Sequence, residues 1–439
     1  MSAFTRWDGF WMRLASRLWA HASGAGRFAL APEQSTCAGR CSNASPLPRR
    51  WAGTSTEQEG HDIVDEMTTP APSEAPIHPK SAADGEFIEL HDRGNEMTLA
   101  WSGPDLLDVA EVRRPDGDLL ALDASGGISC VDLQSMTVRL LGTVTLPEPG
   151  AEDSSAFWMA SRWRLHASAD GAFAAVVFDG GRHGLVIDLG RFETTMQLDG
   201  GDYYEKTVPF SACFASVNGK TALIHRTSWN RLDASDPGTG SLLTERGPTR
   251  YENEQRPPHY LDYFHGQIIA SPSGSRLFDA GWVWQPVGVP RVFDIGSWLT
   301  SNVWESEDGP SAKWLGLRDI WNFPACWIDD DHVAMGGMGD WDDEEFETVA
   351  APPGVRIVEV RQESDAPARK LRMNAEPHEL FTDGRLLFAS DGTDTCAWSL
   401  ESDERVKVIE GFAATHHHLR RKALLEVKPR QLRAITAST

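Results

Sequence analysis

An all-β repeat fold is what this sequence predicts, and three observations predict it. From about residue 100 onward, short apolar runs alternate with turn dipeptides, and no long stretch has helical period. That is the pattern of strands. The turn dipeptides recur at a nearly constant interval, and the strands around each turn follow the same order every time. A small sheet repeated at a fixed period of about 40–50 residues marks the blades of a β-propeller. The predicted architecture is a propeller of six four-stranded blades, with a seventh left open by strand candidates at the two ends.

The turns are Asp116-Gly117, Asp170-Gly171, Asn218-Gly219, Ser273-Gly274, Asp330-Asp331 and Asp383-Gly384, separated by 54, 48, 55, 57 and 53 residues. Asp-Gly and Asn-Gly favour two-residue hairpin turns, whose central positions take positive φ. An apolar strand follows each turn, as in Leu119-Leu120-Ala121-Leu122, Phe173-Ala174-Ala175-Val176-Val177 and Arg385-Leu386-Leu387-Phe388. A third strand then ends on an apolar residue and an acid: Val131-Asp132, Ile187-Asp188, Phe293-Asp294 and Val358-Glu359, with Leu232-Asp233 the weakest case and Trp398-Ser399 in the last unit. A lone blade cannot bury both faces, so blades must stack, and 17 Trp against 5 Tyr suits such layered packing.

Strand, Asp-Gly turn, apolar strand and Val-Asp-Leu or Ile-Asp-Leu together resemble bacterial WD-repeat and YVTN-type propellers over roughly residues 100–428. The Gly-His and Trp-Asp dipeptides of true WD repeats are missing, and the period of about 54 exceeds theirs. Residues 281–298, with Trp282, Trp284 and Trp298, resemble an uncharacterised bacterial propeller group. The resemblance implies an architecture and no activity.

Two end segments, Phe87-Ile88-Glu89-Leu90 and Ala423-Leu424-Leu425-Glu426-Val427, are further strand candidates. If both join one sheet they close the ring or build a seventh blade, removing exposed edges. Upstream, residues 1–50 carry seven Arg and two acids, and residues 51–85 one Lys and seven acids. Residues 1–85 therefore read as a disordered extension or an upstream start, with Met67 an alternative start, and 86–439 as a single propeller domain. The basic, Trp-containing stretch from Arg6 to Trp19 could also form a short amphipathic helix.

The net charge of −23 argues against nucleic-acid or anionic-lipid binding. No run is long enough for a membrane span, and the apolar run near the N-terminus is broken by Arg13 and Arg17, which leaves no secretory core. Scattered single cysteines read as free thiols of a reducing, cytoplasmic compartment. Cys37 and Cys41 lack a second pair to complete a zinc site. No cofactor is expected, and a monomer is.

No nucleophile elbow, phosphate loop, dinucleotide fingerprint or zinc-protease helix is present. The acidic stretch around Asp340, Asp342 and Glu344 offers alternate oxygen ligands for calcium, without the Gly and distant Glu of a calcium loop; a solvated loop is the simpler reading. His416-His417-His418 reads as a polar strand near the ring closure. The segment 302–309 is a long polar connection, read as an insertion.

The segments entering the first strand of each unit should converge on one rim of the ring. They carry Trp158, Arg162 and Trp163; Tyr260, Asp262, Tyr263 and His265; Arg318, Asp319, Trp321 and Asn322; and Glu376 and His378. Aromatic, Arg, Asp and His side chains on one rim are what a protein or peptide partner requires, although some could simply pack between blades. The function expected is a non-enzymatic binding scaffold. The alternative, a propeller hydrolase or lactonase, needs at least three of Asp262, His265, Asp319, Glu376 and His378 to meet within about 5 Å of one point.

Overall fold

The structure is a computed structural model that describes residues 96–147, 149, 161–251, 253, 255–283, 287–318, 322–339, 351–361 and 366–436. Its frame is a ring of seven small antiparallel sheets. Blade 1 is Leu106–Arg114, Gly117–Asp123, Gly127–Asp132 and Thr137–Thr143. Blade 2 is Trp163–Ala167, Phe173–Phe178, His183–Asp188 and Glu193–Asp199. Blade 3 has three strands among the described residues, Ala212–Val217, Lys220–Ser228 and Arg231–Ser235. Blades 4, 5 and 6 begin at Ile268–Ala270, Ala325–Trp327 and Glu379–Thr382 and have four strands each.

Blade 7 closes the ring. Its inner strands are His416–His418, Ala423–Lys428 and Gln431–Thr436, and its outermost strand is Glu96–Ala100 from the other end of the chain. The sequence count of six units therefore becomes seven. The seventh hairpin turns at residues 419–422, which read Leu-Arg-Arg-Lys and carry no Gly or Asn signal. Ala423–Lys428 is a strand as expected, whereas Phe87–Leu90 lies outside the described residues. His416–His418 is the innermost strand of the closing blade.

The stacking follows from strand geometry. Side chains alternate between the two faces of a strand, so a blade's second strand feeds both neighbours. Leu119 and Ala121 join the core shared with blade 7, while Leu120 and Leu122 join that shared with blade 2. Ala174 and Val176 face blade 1, and Ala175 and Val177 face blade 3. Each consecutive pair of blades has such a core, including 6 with 7 and 7 with 1. Two buried faces explain why second strands read as unbroken apolar runs. The outermost strand of blade 1, Thr137–Thr143, has no buried residue.

All six sequence-derived turns join first to second strands. Asn218 and Gly219 both have positive φ, at 53° and 74°, as a tight hairpin demands. Gly117 serves another purpose: a Cβ there would meet the Val131 carbonyl oxygen at 2.6 Å. The long connection in blade 4 folds into two short helices, Ile295–Thr300 and Glu305–Asp308, the first capped by the Asp294 carboxylate on the Ser297 N–H. Glu305, Ser306 and Glu307 are buried. Glu307 pairs with Arg246, which also reaches Asp233 of blade 3. The insertion thus packs blade 4 onto the three-stranded blade.

Candidate functional site

In an up-and-down blade, the segment entering the first strand and the turn between second and third strands lie at the same end. The entry segments named from the sequence therefore share one face with the turns at 179–182, 229–230 and 391–394. The first strands of all seven blades line an axial channel of about 1520 Å³.

One charge network ties the channel wall. Asp108 of blade 1 accepts the Leu165 N–H of blade 2 at 2.6 Å and the His416 Nε2–H of blade 7 at 2.8 Å. Burial would raise the Asp108 pKa, but His416, Arg164 and the Leu165 amide together hold it down to about 2. Arg164 lies 3.7 Å from Asp108 and 3.8 Å from Asp179. Arg162 of blade 2 donates to Glu379 of blade 6 at 3.2 Å, a contact between blades nearly opposite in a ring of seven. Because Arg162 is half exposed, that bridge is worth at most about 1 kcal/mol.

His166 also lines the channel. Burial, then the Arg164 charge, pushes its pKa down to about 4, and its Nε2 has no hydrogen-bond partner. In the unfolded chain the imidazole takes its proton near pH 6.5, so the folded state loses stability as pH falls through the window from about 6.5 to 4. The expected loss attributable to His166 is at most about 3 kcal/mol. Urea unfolding at pH 7.5 and pH 4.5 measures it, and His166→Gln should flatten the slope.

The residues expected at the rim divide into groups. Arg162, Glu376 and His378 line the channel, and burial raises the Glu376 pKa. Trp163 packs on Phe178, with ring centroids 4.8 Å apart, inside the core of blades 1 and 2. Arg318 is buried and donates to the Gly336 carbonyl at 3.2 Å. Tyr263 and His265 are buried in blade 4. The Tyr263 hydroxyl donates to the Val289 carbonyl and accepts the Gly281 N–H, while His265 Nδ1 lies 2.8 Å from Asp279. Asp262 is exposed and Tyr260 half-buried. Asp319, Trp321, Trp158, Asp340, Asp342 and Glu344 lie outside the described residues.

The described members of the acid–base set lie in different settings: His265 is enclosed against Asp279, Asp262 is exposed, and Glu376 and His378 line the channel. Among the described residues no group of three or more His, Cys, Asp or Glu side chains is placed to hold a metal ion.

The same face carries an aromatic cluster that sequence reading found only in part. Tyr203 and Tyr204 come from the link between blades 2 and 3, Trp229 from a turn of blade 3, and Tyr251, Tyr260 and Phe264 from the link into blade 4. Tyr203 lies 5.3 Å from Trp229 and stacks 5.9 Å from Phe264. Trp229 contacts Phe264 at 4.6 Å and Tyr260 at 6.4 Å, and Tyr251 contacts Tyr260 at 5.0 Å. Beneath them Phe264 stacks on Trp282 at 4.1 Å over Val208, a small core apart from the seven between blades. The base is buried, yet Tyr203, Tyr204 and Tyr251 are 52%, 43% and 51% exposed. Asp262, two residues from Tyr260, is exposed on this face; burial, then Tyr204, then the Asp262 charge raises the Tyr203 hydroxyl pKa. The available signal was the Tyr-Tyr pair in a link and a Trp in a hairpin turn, which composition alone does not separate from packing.

No protein-family model matches this chain, and no curated protein matches its sequence. Solved structures do match in fold. Kuenenia stuttgartiensis hydrazine synthase aligns with a TM-score of 0.51 at 15% identity, over 78% of this chain and 98% of that one. The Cps50 (Swd1) β-propeller domain of Myceliophteria thermophila aligns at 0.48 and 12% identity, over 78% of this chain and all of the other. Identities this low speak to the fold alone.

Proposed function

We propose that this propeller is a binding module that holds a protein or peptide segment on the face bearing Tyr203, Trp229 and Tyr260, rather than an enzyme. The observation that carries the reading is the exposed aromatic cluster on a buried aromatic base. Rigid aromatic rings held by a packed foundation bury large areas at little entropic cost, and such residues dominate interface energetics. None of these exposed tyrosines belongs to the seven inter-blade cores. A soluble scaffold is consistent with the absence, among the described residues, of a helix able to cross a membrane. Free thiols at Cys130, Cys213, Cys326 and Cys396 support a reducing, cytoplasmic setting. Membership of the WD-repeat and YVTN-type superfamily belongs to the same reading.

The test is selection of displayed peptides on the full chain, with affinities then measured for wild type and for Tyr203→Ala/Trp229→Ala. Anchor residues of this kind are worth about 2 kcal/mol or more, so the double variant should weaken selected peptides at least about 30-fold. Unchanged affinity in a variant that keeps its melting temperature would refute the assignment of this face.

A further inference from the structure

We propose that the segment held at this aromatic face is a basic one, anchored by an arginine or lysine side chain laid against the Tyr203, Trp229 and Tyr260 rings beside the Asp262 carboxylate. The inference rests on the binding reading above and names the chemistry of its partner. Its first support is the combination of ring faces with a carboxylate. The face of an aromatic ring is electron-rich and attracts a cation, with Trp the best donor, and a planar guanidinium stacks where an ammonium only touches.

The second support is an internal precedent. Arg256 already lies over Tyr260, its guanidinium carbon 5.2 Å from the ring centroid. One ring of the cluster therefore accepts a guanidinium from the chain itself.

The third support is the state of Asp262. It is exposed, it makes no hydrogen bond or ion pair among the described residues, and burial, countered in part by Arg256, raises its pKa. Burial raises the Tyr260 and Tyr203 hydroxyl pKa values, with the Asp262 charge next in importance at Tyr260 and after Tyr204 at Tyr203. An exposed acid two residues from Tyr260, without a hydrogen-bonded partner, gains from an incoming cation that shields it.

Charge complementarity extends outward. The adjoining link carries Asp202 and Glu205 against Lys206; Asp202 is 82% exposed, and Arg182, 3.7 Å away, is already held by both oxygens of Asp199. The whole chain carries −23. A basic segment is steered to such a surface, and an acidic one is repelled.

The experiment uses the full chain and four labelled octapeptides of alternating glycine and one variable residue: arginine, lysine, citrulline or glutamate. Fluorescence anisotropy reads binding. The arginine peptide should bind at least tenfold tighter than its citrulline twin, which has the same shape without the charge, and the glutamate peptide should not bind. Raising salt from 50 to 500 mM should erase most of the difference. Asp262→Asn and Tyr203→Ala, both at exposed positions, should each bring arginine within threefold of citrulline, while circular dichroism shows an unchanged fold. Equal binding of arginine and citrulline peptides, binding by none of them, or indifference to Asp262→Asn overturns the inference. Should uncharged peptides selected on this face still lose affinity in Tyr203→Ala/Trp229→Ala, the binding reading stands and only the cation preference falls.

Discussion

A chain that begins at Trp101 is expected to be less stable and prone to aggregate, whereas one that begins at Met67 should melt like the full-length protein. The difference is the strand Glu96–Ala100. It pairs with Gln431–Thr436 from Glu96 opposite Ile435 to Ala100 opposite Gln431, and Arg433 holds Glu96 at 2.6 Å. Met97 and Leu99 pack against the core between blades 7 and 1. At about 1 kcal/mol net for each ladder hydrogen bond, plus the burial of two side chains, removal costs at least about 4 kcal/mol. It also bares the edge of Gln431–Thr436, with Leu432 and Ala434 in its sequence, and unpaired edges recruit other chains. Thermal denaturation followed by circular dichroism, with size-exclusion chromatography, makes the comparison. The 101–439 chain should aggregate or melt at least roughly 6 °C lower. Equal melting of the two truncations would mean that the ring does not depend on strand pairing between the chain ends.

The second large effect is expected inside blade 4. Arg291 and Asp279 are both fully buried and lie 3.4 Å apart. The Arg291 guanidinium carbon also sits 4.6 Å from the centre of the Tyr263 ring. Burial alone would raise the Asp279 pKa; the His265 contact and the Arg291 charge reverse this and hold it below the ordinary carboxylate range. Replacing Arg291 with Met keeps much of the volume and removes one of the two basic groups facing Asp279, leaving His265 and the Gly266 N–H as its partners. The expected cost is about 3–5 kcal/mol. The pH dependence should become shallower. In the wild type, Asp279 contributes stability above its unfolded pKa, and that contribution is lost as pH falls through the lower folded value. In Arg291→Met its folded pKa rises, so acidification should cost less stability than in the wild type. Arg291→Met/Asp279→Asn should be more stable at pH 7 than Arg291→Met. Urea unfolding of the wild type, Arg291→Met, Asp279→Asn and the double variant at pH 7 and pH 5 checks both statements, and additive single effects would show that the pair is not coupled.

These two predictions fall on opposite sides of what local sequence reveals. A hairpin is local: its turn residues and strands lie within a few positions of one another. Asn218-Gly219 with its flanking strands could therefore be placed without knowing anything else about the chain. The period followed because each blade repeats that unit. Blade 7 was legible only as an open alternative because its hairpin uses Leu419-Arg420-Arg421-Lys422, where no dipeptide marks the turn, and because its fourth strand comes from the far end of the chain. Blade 3 lacks a fourth strand among the described residues, and the helical insertion of blade 4, seen in sequence only as a polar connection, packs against it through Glu307 and Arg246.

The binding face shows the same division. Residues 260–263 alternate, with Tyr260 half-buried, Asp262 exposed, and Leu261 and Tyr263 buried. Sequence reading could name all the polar and aromatic members of the segment but not the phase of that alternation. His265, an attractive acid–base candidate by type, is enclosed with Asp279. Tyr203 and Trp229 join Tyr260 only because blades 2, 3 and 4 are neighbours and their links emerge on one face.

By itself, then, the sequence determined the all-β class, the blade period, six of seven hairpins and the strongly acidic charge. Each depends on residue order over short spans or on composition. Tertiary structure decided the number of blades, the strand exchange between the chain ends, the burial of Tyr263, His265 and Arg318, and the assembly of the aromatic face. Those depend on contacts between residues far apart in the chain, whose partners no local pattern specifies.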